Sequence, residues 1–195
     1  MLIGITGNSG SGKTIVSNML KEKLTCHLIE ADVVAKELSK KGNEYYNEII
    51  QAFGEIILDE HKEIDRAKLA EIVYNDNNKR KTLNDLTNIY VVEEIAKQVN
   101  GLSGESTVII DVPRLIECGL GQICNVIISV IADREIKLDR ICRRDNIDRK
   151  VAECRLAIQP NDQFYIDNSD YIIENNDDNL KVQIDLTINE LRESK

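Results

Sequence analysis

A glycine-rich segment near the start of the chain has the residue types and the spacing of a phosphate-binding loop. It fits the pattern G-x-x-x-x-G-K-[ST] and lies between a strand-like apolar run and a helical pattern, which is the context that this motif requires. Glycines let the backbone curl so that N–H groups point at phosphate oxygens, and a helix beginning near Gly12 adds the positive end of its dipole. We therefore predict nucleoside triphosphate binding by Gly7, Ser9, Gly10, Ser11, Gly12, Lys13, Thr14 and Ile15.

Two side chains of this loop have predicted chemical roles. The Lys13 ammonium group is expected to reach the β- and γ-phosphates, and the Thr14 hydroxyl is expected to ligate Mg²⁺. Other nucleotide-binding classes fit less well. The segment 78–81 lacks the final aspartate of the guanine motif [NT]-K-x-D, and Leu102-Ser103-Gly104 matches only the opening of an ABC-type signature before Glu105 breaks it, which indicates a turn. These features favour a small-molecule kinase.

Two aspartates stand at the ends of predicted strands. Ligands of parallel sheets bind at the carboxyl ends of the strands, so Asp32 and Asp111 are both expected near the phosphate loop. Asp32 could accept the proton of an acceptor hydroxyl or hold that hydroxyl in line, and the alternative is an N-cap of the following helix. Asp111 is expected to face Mg²⁺ or the acceptor, again with a capping role as the alternative.

Arginines crowd one helical region of an otherwise acidic chain. Their planar guanidinium groups suit contacts to phosphates and to transition-state charge, so we expect at least one of them to contact ATP. The alternative for any single arginine is a solvated face paired with neighbouring acids. The residues concerned are Arg134, Arg140, Arg143, Arg144 and Arg149.

Composition excludes several functional classes. The 195 residues carry a net charge of −9, which argues against a nucleic-acid partner, and no apolar run approaches the roughly 20 residues of a membrane span. The first residues lack a signal-peptide pattern, and five cysteines without a CxxC pair predict reduced thiols packed as small apolar groups. We therefore expect a cytoplasmic protein without a membrane partner, as a monomer or small homo-oligomer.

Apolar runs alternate with helical patterns and predict an α/β fold. Near-continuous apolar, β-branched runs are typical of strands buried on both faces of a parallel sheet, and they lie at 2–6, 26–30, 107–111, 126–131 and 170–174. A short extended candidate covers 55–58. Helical patterns lie near 33–41, 44–53, 66–100 with a break near 76–78, 134–158 and 178–192, the last with apolar residues at Leu180, Ile184, Ile188 and Leu191.

The uneven spacing of these elements predicts one domain with two additions. The core comprises about 1–32, 105–133 and 169–195, and it holds a central five-stranded parallel sheet flanked by helices. A helical insert of about 33–104 would hold the acceptor. An Arg-rich lid of about 134–168 would close over ATP and exclude water.

The order and spacing of the motifs resemble the dephospho-coenzyme A kinase family over nearly the whole chain. The matching features are the phosphate loop, Ala31-Asp32 for the end of D-A-D, Phe53-Gly54, Arg66 with Leu69 for R-x-x-L, Asp111-Val112-Pro113 with Leu115 and Glu117 for D-x-P-L-L-x-E, Arg140, Arg144-Asp145, Arg155-Leu156 with Gln159, and Ser169-Asp170-Tyr171 followed by Glu174-Asn175-Asn176.

This resemblance implies a P-loop kinase that transfers the γ-phosphate of ATP to the ribose 3′-hydroxyl of dephospho-CoA, with Mg²⁺. It implies Asp32 as the base and Lys13 as the charge stabiliser. It also implies Arg140 and Arg144 as lid contacts to ATP phosphates and Asn175 near the adenine. The insert would hold the CoA substrate, and the substrate residues would be Asp32, Asp111, Asn88 and Arg66.

Two departures from the family pattern keep other functions open. Asn88-Ile89 replaces the family's His-Pro, and Arg114 stands where an apolar residue is usual, either to contact an acceptor phosphate or to pair with Glu117. One alternative is a related kinase acting on a nucleoside or nucleotide. The other is a nucleotide-binding regulator that has lost catalysis.

Overall fold

The computed structural model describes residues 1–102, 107–176 and 179–193. Two compact units make up the chain. The first comprises Met1–Ile29 and Leu102–Lys195, and the second comprises Glu30–Gly101. The turn predicted at 102–105 lies, apart from Leu102, outside the described residues. No helix of the described ranges is long and apolar enough to cross a membrane.

A five-stranded sheet forms the centre of the first unit. Its strands are β1 (Leu2–Thr6), β2 (His27–Glu30), β3 (Val108–Asp111), β4 (Val126–Ile131) and β5 (Tyr171–Glu174), in the order β2-β3-β1-β4-β5. The pairs β1–β3, β1–β4 and β4–β5 are parallel. All five sequence-predicted strands are confirmed. The inner strands β1 and β3 are buried throughout, as their continuous apolar runs predict, whereas the edge strands β2 and β5 are partly exposed.

The helices are α1 (Lys13–Leu24), α2 (Ala31–Leu38), α3 (Glu44–Phe53), α4 (Arg66–Asn75), α5 (Asn77–Gly101), α6 (Arg134–Asp145), α7 (Arg149–Ala157), α8 (Asp162–Asp167) and α9 (Leu180–Glu193). The predicted break near 76–78 is confirmed, since α4 ends at Asn75 and α5 begins at Asn77. The sequence missed α8, whose six residues are too few to show a helical period. Its signal was Asn161, whose side chain accepts a hydrogen bond from the Phe164 N–H at 3.0 Å.

One sequence expectation is wrong. The segment predicted as extended at 55–58 forms a 3-10 turn at Glu55–Ile57, and only Leu58 makes an isolated antiparallel bridge, to Ile64. The apolar residues of this segment divide between two environments, because Ile57 is buried whereas Ile56 is 75% exposed. A four-residue apolar run is too short to distinguish a strand from such a turn.

The core of the first unit lies between the sheet and two helices. Ile3, Ile5 and Ile128 are fully buried in the strands, and they pack in one cluster with buried side chains of α1 and α9. The predicted apolar stripe of α9 is confirmed, with Ile184, Ile188 and Leu191 buried in that cluster and Leu180 packed against it. This packing fixes the start of α1, and so the end of the phosphate loop, against the carboxyl edge of the sheet.

The second unit is helical, with its own buried side chains on α3, α4 and α5. Tyr45 of α3 is buried and shares a hydrogen bond of 2.9 Å with Thr87 of α5. Burial raises the pKa of Tyr45, so its hydroxyl stays neutral. A ring contact between Tyr45 and Tyr90 adds to the packing of α3 on α5. The predicted helical insert therefore has a core of its own.

Candidate active site

The phosphate loop has a backbone shape that only glycine permits at three positions. Gly7, Gly10 and Gly12 have φ values of 145°, 81° and 89°. A Cβ atom on Gly12 would lie 2.0 Å from Nδ2 of Asn175, and one on Gly10 would lie 2.5 Å from the carbonyl oxygen of Lys137. The glycines of the motif are therefore required both for the turn and for the close approach of neighbouring chain.

The loop ends at an uncapped helix N-terminus. Gly12 is the N-cap residue of α1 and offers no side-chain hydrogen bond to the first-turn N–H groups. Such a terminus carries partial positive charge and binds anions readily. Thr14 is exposed in this first turn, so its hydroxyl is accessible to a metal ion. A hydroxyl oxygen is a hard ligand of the kind that Mg²⁺ binds. These residues fit a nucleotide phosphate chain and its metal ion.

Lys13 is held by a carboxylate at the end of β3. Its Nζ atom forms an ion pair and hydrogen bond with Oδ1 of Asp111, and the two side chains are only 12% and 4% exposed. Oδ2 of Asp111 accepts a hydrogen bond of 2.7 Å from the hydroxyl of Ser17, one turn further along α1. The structure thus brings Asp111 to the loop, as expected, but as the partner of Lys13 and not as a helix cap. Sequence reasoning missed Ser17, for which the signal was its i+4 spacing from Lys13.

Asp32 lies in the first turn of α2, which continues directly from β2. The capping alternative is wrong, because the N-cap residue is Glu30 and the helix already begins at Ala31. The Asp32 side chain is exposed. Its assignment as a catalytic base stays a prediction.

Arg140 and Arg144 lie on the same helix but differ in their surroundings. Arg140 is half-buried and donates to the carbonyl oxygens of Gly10 and Ser11, each at 3.3 Å. Arg144 has a side chain that is 61% exposed, and it donates to Oγ of Ser9 at 3.1 Å. Both arginines therefore contact the phosphate loop. Arg140 bonds backbone carbonyls of the loop, and Arg144 bonds the side chain of Ser9.

Asn175 occupies a buried position at the end of β5, only 4% exposed. Its Nδ2 atom donates to the Ser11 carbonyl oxygen at 2.8 Å, and its backbone carbonyl accepts from Arg140 at 3.0 Å. The structure therefore places this residue against the backbone of the phosphate loop.

The Arg-rich segment also contains ion pairs away from the loop. Arg149 pairs with Glu135 and Glu153, so for this arginine the alternative of an ion-paired exposed face is confirmed. Asp145 accepts hydrogen bonds from Arg144 and from Arg155, and the bond from Arg144 is the main cause of a lowered Asp145 pKa. The carboxylate is therefore ionised at neutral pH, and it fixes the guanidinium group of Arg144 through Nε and Nη2.

Contacts from beyond α7 reach the first half of the loop. The backbone N–H of Ser9 donates to Oε1 of Gln159 at 2.8 Å, and Nδ2 of Asn8 donates to the Pro160 carbonyl at 3.0 Å. Lys137 of α6 is 3% exposed and pairs with Asp162 at 2.7 Å. The first two bonds connect the loop to the predicted lid segment, and the ion pair joins α6 to α8 within that segment.

We expect nucleotide to slow hydrogen exchange most strongly in α7. This helix buries only Ala152, so we expect its local stability to be lower than that of α6, which buries Lys137, Leu138 and Ile141. Hydrogen exchange with mass spectrometry, with and without ATP and an acceptor, measures the difference. The buried stripe of α9 serves as the unchanged control. Equal exchange of 149–157 in both states would contradict a lid that closes.

The remaining predicted substrate residues lie in the helical unit. Arg66 is exposed in the first turn of α4 and donates to Oγ of Ser39 at 3.1 Å. Asn88 is half-buried on α5, and its neighbour Ile89 is 57% exposed. Roles for Arg66 and Asn88 stay predictions. In the first unit, Arg114 pairs with Glu117 at 3.9 Å, so the pairing alternative for that residue is confirmed.

The five cysteines are all free thiols. Cys26, Cys118, Cys124 and Cys142 are half-buried free thiols, and burial raises the pKa of Cys124 to about 12. Cys154 is exposed, which differs from the expected packing. Within the described parts of the chain, no three His, Cys, Asp or Glu side chains are grouped to hold a metal ion.

Comparison with known proteins identifies the family. The family model for dephospho-CoA kinase matches residues 1–181. The dephospho-CoA kinase of Fusobacterium nucleatum is 39% identical over 176 residues, which cover 90% of each chain. That of Oceanobacillus iheyensis is 34% identical over 189 residues, covering 95% of this chain and 94% of the relative.

Solved structures show the same fold. A dephospho-CoA kinase from Campylobacter jejuni aligns with a TM-score of 0.69 at 24% identity, covering 99% of this chain and 98% of the other. A shikimate kinase from Acinetobacter baumannii, in complex with shikimate, aligns with a TM-score of 0.60 at 17% identity, covering 100% and 94%. The predicted P-loop kinase fold is therefore confirmed. Because the family model and relatives above 30% identity span nearly the whole sequence, this chain belongs to the dephospho-CoA kinase family.

Proposed function

We propose that this chain transfers the γ-phosphoryl group of ATP to the ribose 3′-hydroxyl of dephospho-CoA, which gives coenzyme A and ADP in the last step of CoA biosynthesis. The observation that carries the proposal is the family match over residues 1–181. The geometry of the phosphate loop supports it, because Lys13, Thr14 and the uncapped start of α1 lie together there.

The chemical roles follow from the side chains available. In the transfer, the acceptor oxygen forms a bond to the γ-phosphorus, the bond to the bridging oxygen breaks, and ADP leaves with the electron pair. The Asp32 carboxylate takes the proton of the acceptor hydroxyl. Lys13 donates to the β- and γ-phosphates and stabilises the charge that spreads over their oxygens.

Asp111 prepares Lys13 for this task. The Asp111 carboxylate is buried and also accepts a hydrogen bond from Ser17. It therefore holds the Lys13 ammonium group at the loop before ATP binds. A preorganised charge needs little rearrangement at the moment of reaction. Thr14 would hold Mg²⁺, whose charge supplies further neutralisation of the phosphate oxygens when the ion is bound. The exposed Arg144 side chain is the lid group that we assign to a phosphate.

The acceptor decides between this function and its alternatives. We expect dephospho-CoA to give acceptor-dependent ADP formation in a coupled assay, and we expect adenosine, uridine, CMP and pantetheine to give little. Turnover of a nucleoside or CMP but not of dephospho-CoA would favour the related kinase. ATP binding without turnover of any acceptor would favour the regulator.

The same assay tests the role of Asn88. An asparagine can still hydrogen-bond but gives no charge assistance, so Asn88→His is expected to lower the KM for dephospho-CoA. The matched control is Asn84→His, which changes another half-buried asparagine one turn earlier on α5. An equal change of KM in both variants would remove Asn88 from the proposed acceptor site.

The proposal also includes the cellular setting. We propose a cytoplasmic enzyme, a monomer or small homo-oligomer, that acts on a small molecule without nucleic-acid or membrane partners. The net charge of −9 supports the absence of a nucleic-acid partner.

A further inference from the structure

Two backbone carbonyl groups of the phosphate loop accept hydrogen bonds from side chains outside the loop. The Ser11 carbonyl oxygen accepts from Nη1 of Arg140 at 3.3 Å and from Nδ2 of Asn175 at 2.8 Å. The Gly10 carbonyl oxygen accepts from the same Nη1 atom at 3.3 Å. The Ser11 carbonyl oxygen therefore accepts hydrogen bonds from two side chains. We call Arg140 and Asn175 together the carbonyl clamp.

The clamp is itself fixed by the sheet. Asn175 follows β5, and its backbone N–H donates to the Ile131 carbonyl at the end of β4 at 2.9 Å. Nη2 of Arg140 donates to the Asn175 carbonyl at 3.0 Å. The close packing explains Gly12, since a Cβ there would lie 2.0 Å from Nδ2 of Asn175. Thus the loop, α6 and the end of β5 form one hydrogen-bonded unit.

Fixing the Ser11 carbonyl by hydrogen bonds also sets the direction of the Gly12 N–H, which belongs to the same peptide group. A trans peptide is planar, and its C=O and N–H bonds point in opposite directions. The Gly12 N–H therefore points away from Arg140 and Asn175. The Ser11 N–H is already used within the loop, where it donates to the Asn8 carbonyl oxygen at 3.1 Å. The clamp also polarises the Ser11–Gly12 peptide, since a guanidinium charge faces its oxygen.

We infer that Arg140 and Asn175 are positioning residues that orient the Gly12 N–H toward a nucleotide phosphate. They act on the nucleotide through the loop backbone. This inference differs from the family-based expectation, which gave Arg140 to an ATP phosphate and Asn175 to the adenine. It rests on the nucleotide-binding part of the proposed function.

A double-mutant cycle on nucleotide binding separates the two roles. Arg140→Ala and Asn175→Ala are each expected to weaken the binding of both ADP and ATP by about 10-fold, the scale of one buried hydrogen bond. Because both side chains hold the same carbonyl, the double variant should be little worse than the more damaging single variant. Asn176→Ala is the matched control, because its side chain bonds Asp133 and not the loop.

Direct phosphate contact by Arg140 gives a different result. If the contact were to the γ-phosphate, Arg140→Ala would weaken the binding of ATP much more than that of ADP. The losses of affinity caused by Arg140→Ala and Asn175→Ala would then multiply in the double variant. Either outcome would overturn the clamp. If Arg140→Ala fails to fold, Arg140→Lys decides. A lysine keeps the charge for a direct contact but cannot reach the Gly10, Ser11 and Asn175 carbonyls together, so the clamp predicts weakened binding.

A spectroscopic measurement tests the clamp without nucleotide. The ¹⁵N and ¹H resonances of the Gly12 amide report hydrogen bonding at the Ser11 carbonyl, so they should shift in Asn175→Ala and stay unchanged in Asn176→Ala. An unchanged Gly12 resonance in Asn175→Ala would overturn the inference. If the wild-type protein bound neither ADP nor ATP, the proposed function would fail, while this measurement would still decide whether the clamp exists.

Discussion

Asp32→Asn is expected to lower turnover by roughly 10²–10⁴-fold while ATP binding persists, the range for loss of a general base. The substitution is nearly isosteric, so it removes the charge and the proton acceptor with little change in shape. The helix start should not suffer, because α2 begins at Ala31 and its N-cap is Glu30. Steady-state kinetics with dephospho-CoA, together with ATP titration by calorimetry, measures both quantities.

A charge on the same helix provides the control for Asp32. Glu37 is exposed and pairs with Lys40 at 2.5 Å, so Glu37→Gln also removes one carboxylate from α2. We expect this control to retain turnover. Thermal unfolding of both variants checks that the fold is kept, since an acidic residue in the first turn contributes only about 0.3–1 kcal/mol through the helix dipole. Equal turnover of Asp32→Asn and wild type would remove Asp32 from catalysis.

Lys13→Ala is expected to lower turnover by roughly 10²-fold or more, the scale for losing one transition-state charge contact. The structure adds a second effect. Asp111 would become a buried carboxylate without its cation, so the free energy of unfolding should fall by roughly 3 kcal/mol, the lower end for a broken buried pair, because Ser17 still donates to it. Kinetics and denaturant unfolding measure the two effects separately.

A double variant separates catalysis from stability at this site. Lys13→Ala with Asp111→Asn removes the orphaned charge, so stability should recover while turnover stays low. Lys21→Ala is the control, because it removes a cation from the last turn of the same helix. Wild-type turnover in Lys13→Ala would exclude Lys13 from the mechanism. Recovery of turnover in the double variant would mean that the loss was structural.

The sequence by itself determined the strands and the phosphate loop. The run 126–131 is apolar and β-branched except at Ser129, and such a run is typical of a strand in the interior of a parallel sheet. The loop motif likewise encodes its own shape, since φ values of 81° at Gly10 and 89° at Gly12 strongly favour glycine. The even stripe of α9 and the break between α4 and α5 were readable for the same reason: each is a local pattern with a local cause.

Only the tertiary structure decided the partners of the charged side chains. Lys13 and Asp111 are 98 residues apart, and Asn175 lies 164 residues from Ser11, so their contacts depend on strand order and not on any local period. From the sequence, Arg140 and Arg144 cannot be told apart, because both are arginines of one helix and lie one turn from each other. Both lie on the same face of α6, yet Arg140 donates to the loop backbone whereas Arg144 contacts Ser9 and is 61% exposed. How far each turn of α6 lies from the loop is set by tertiary packing, which no local pattern encodes.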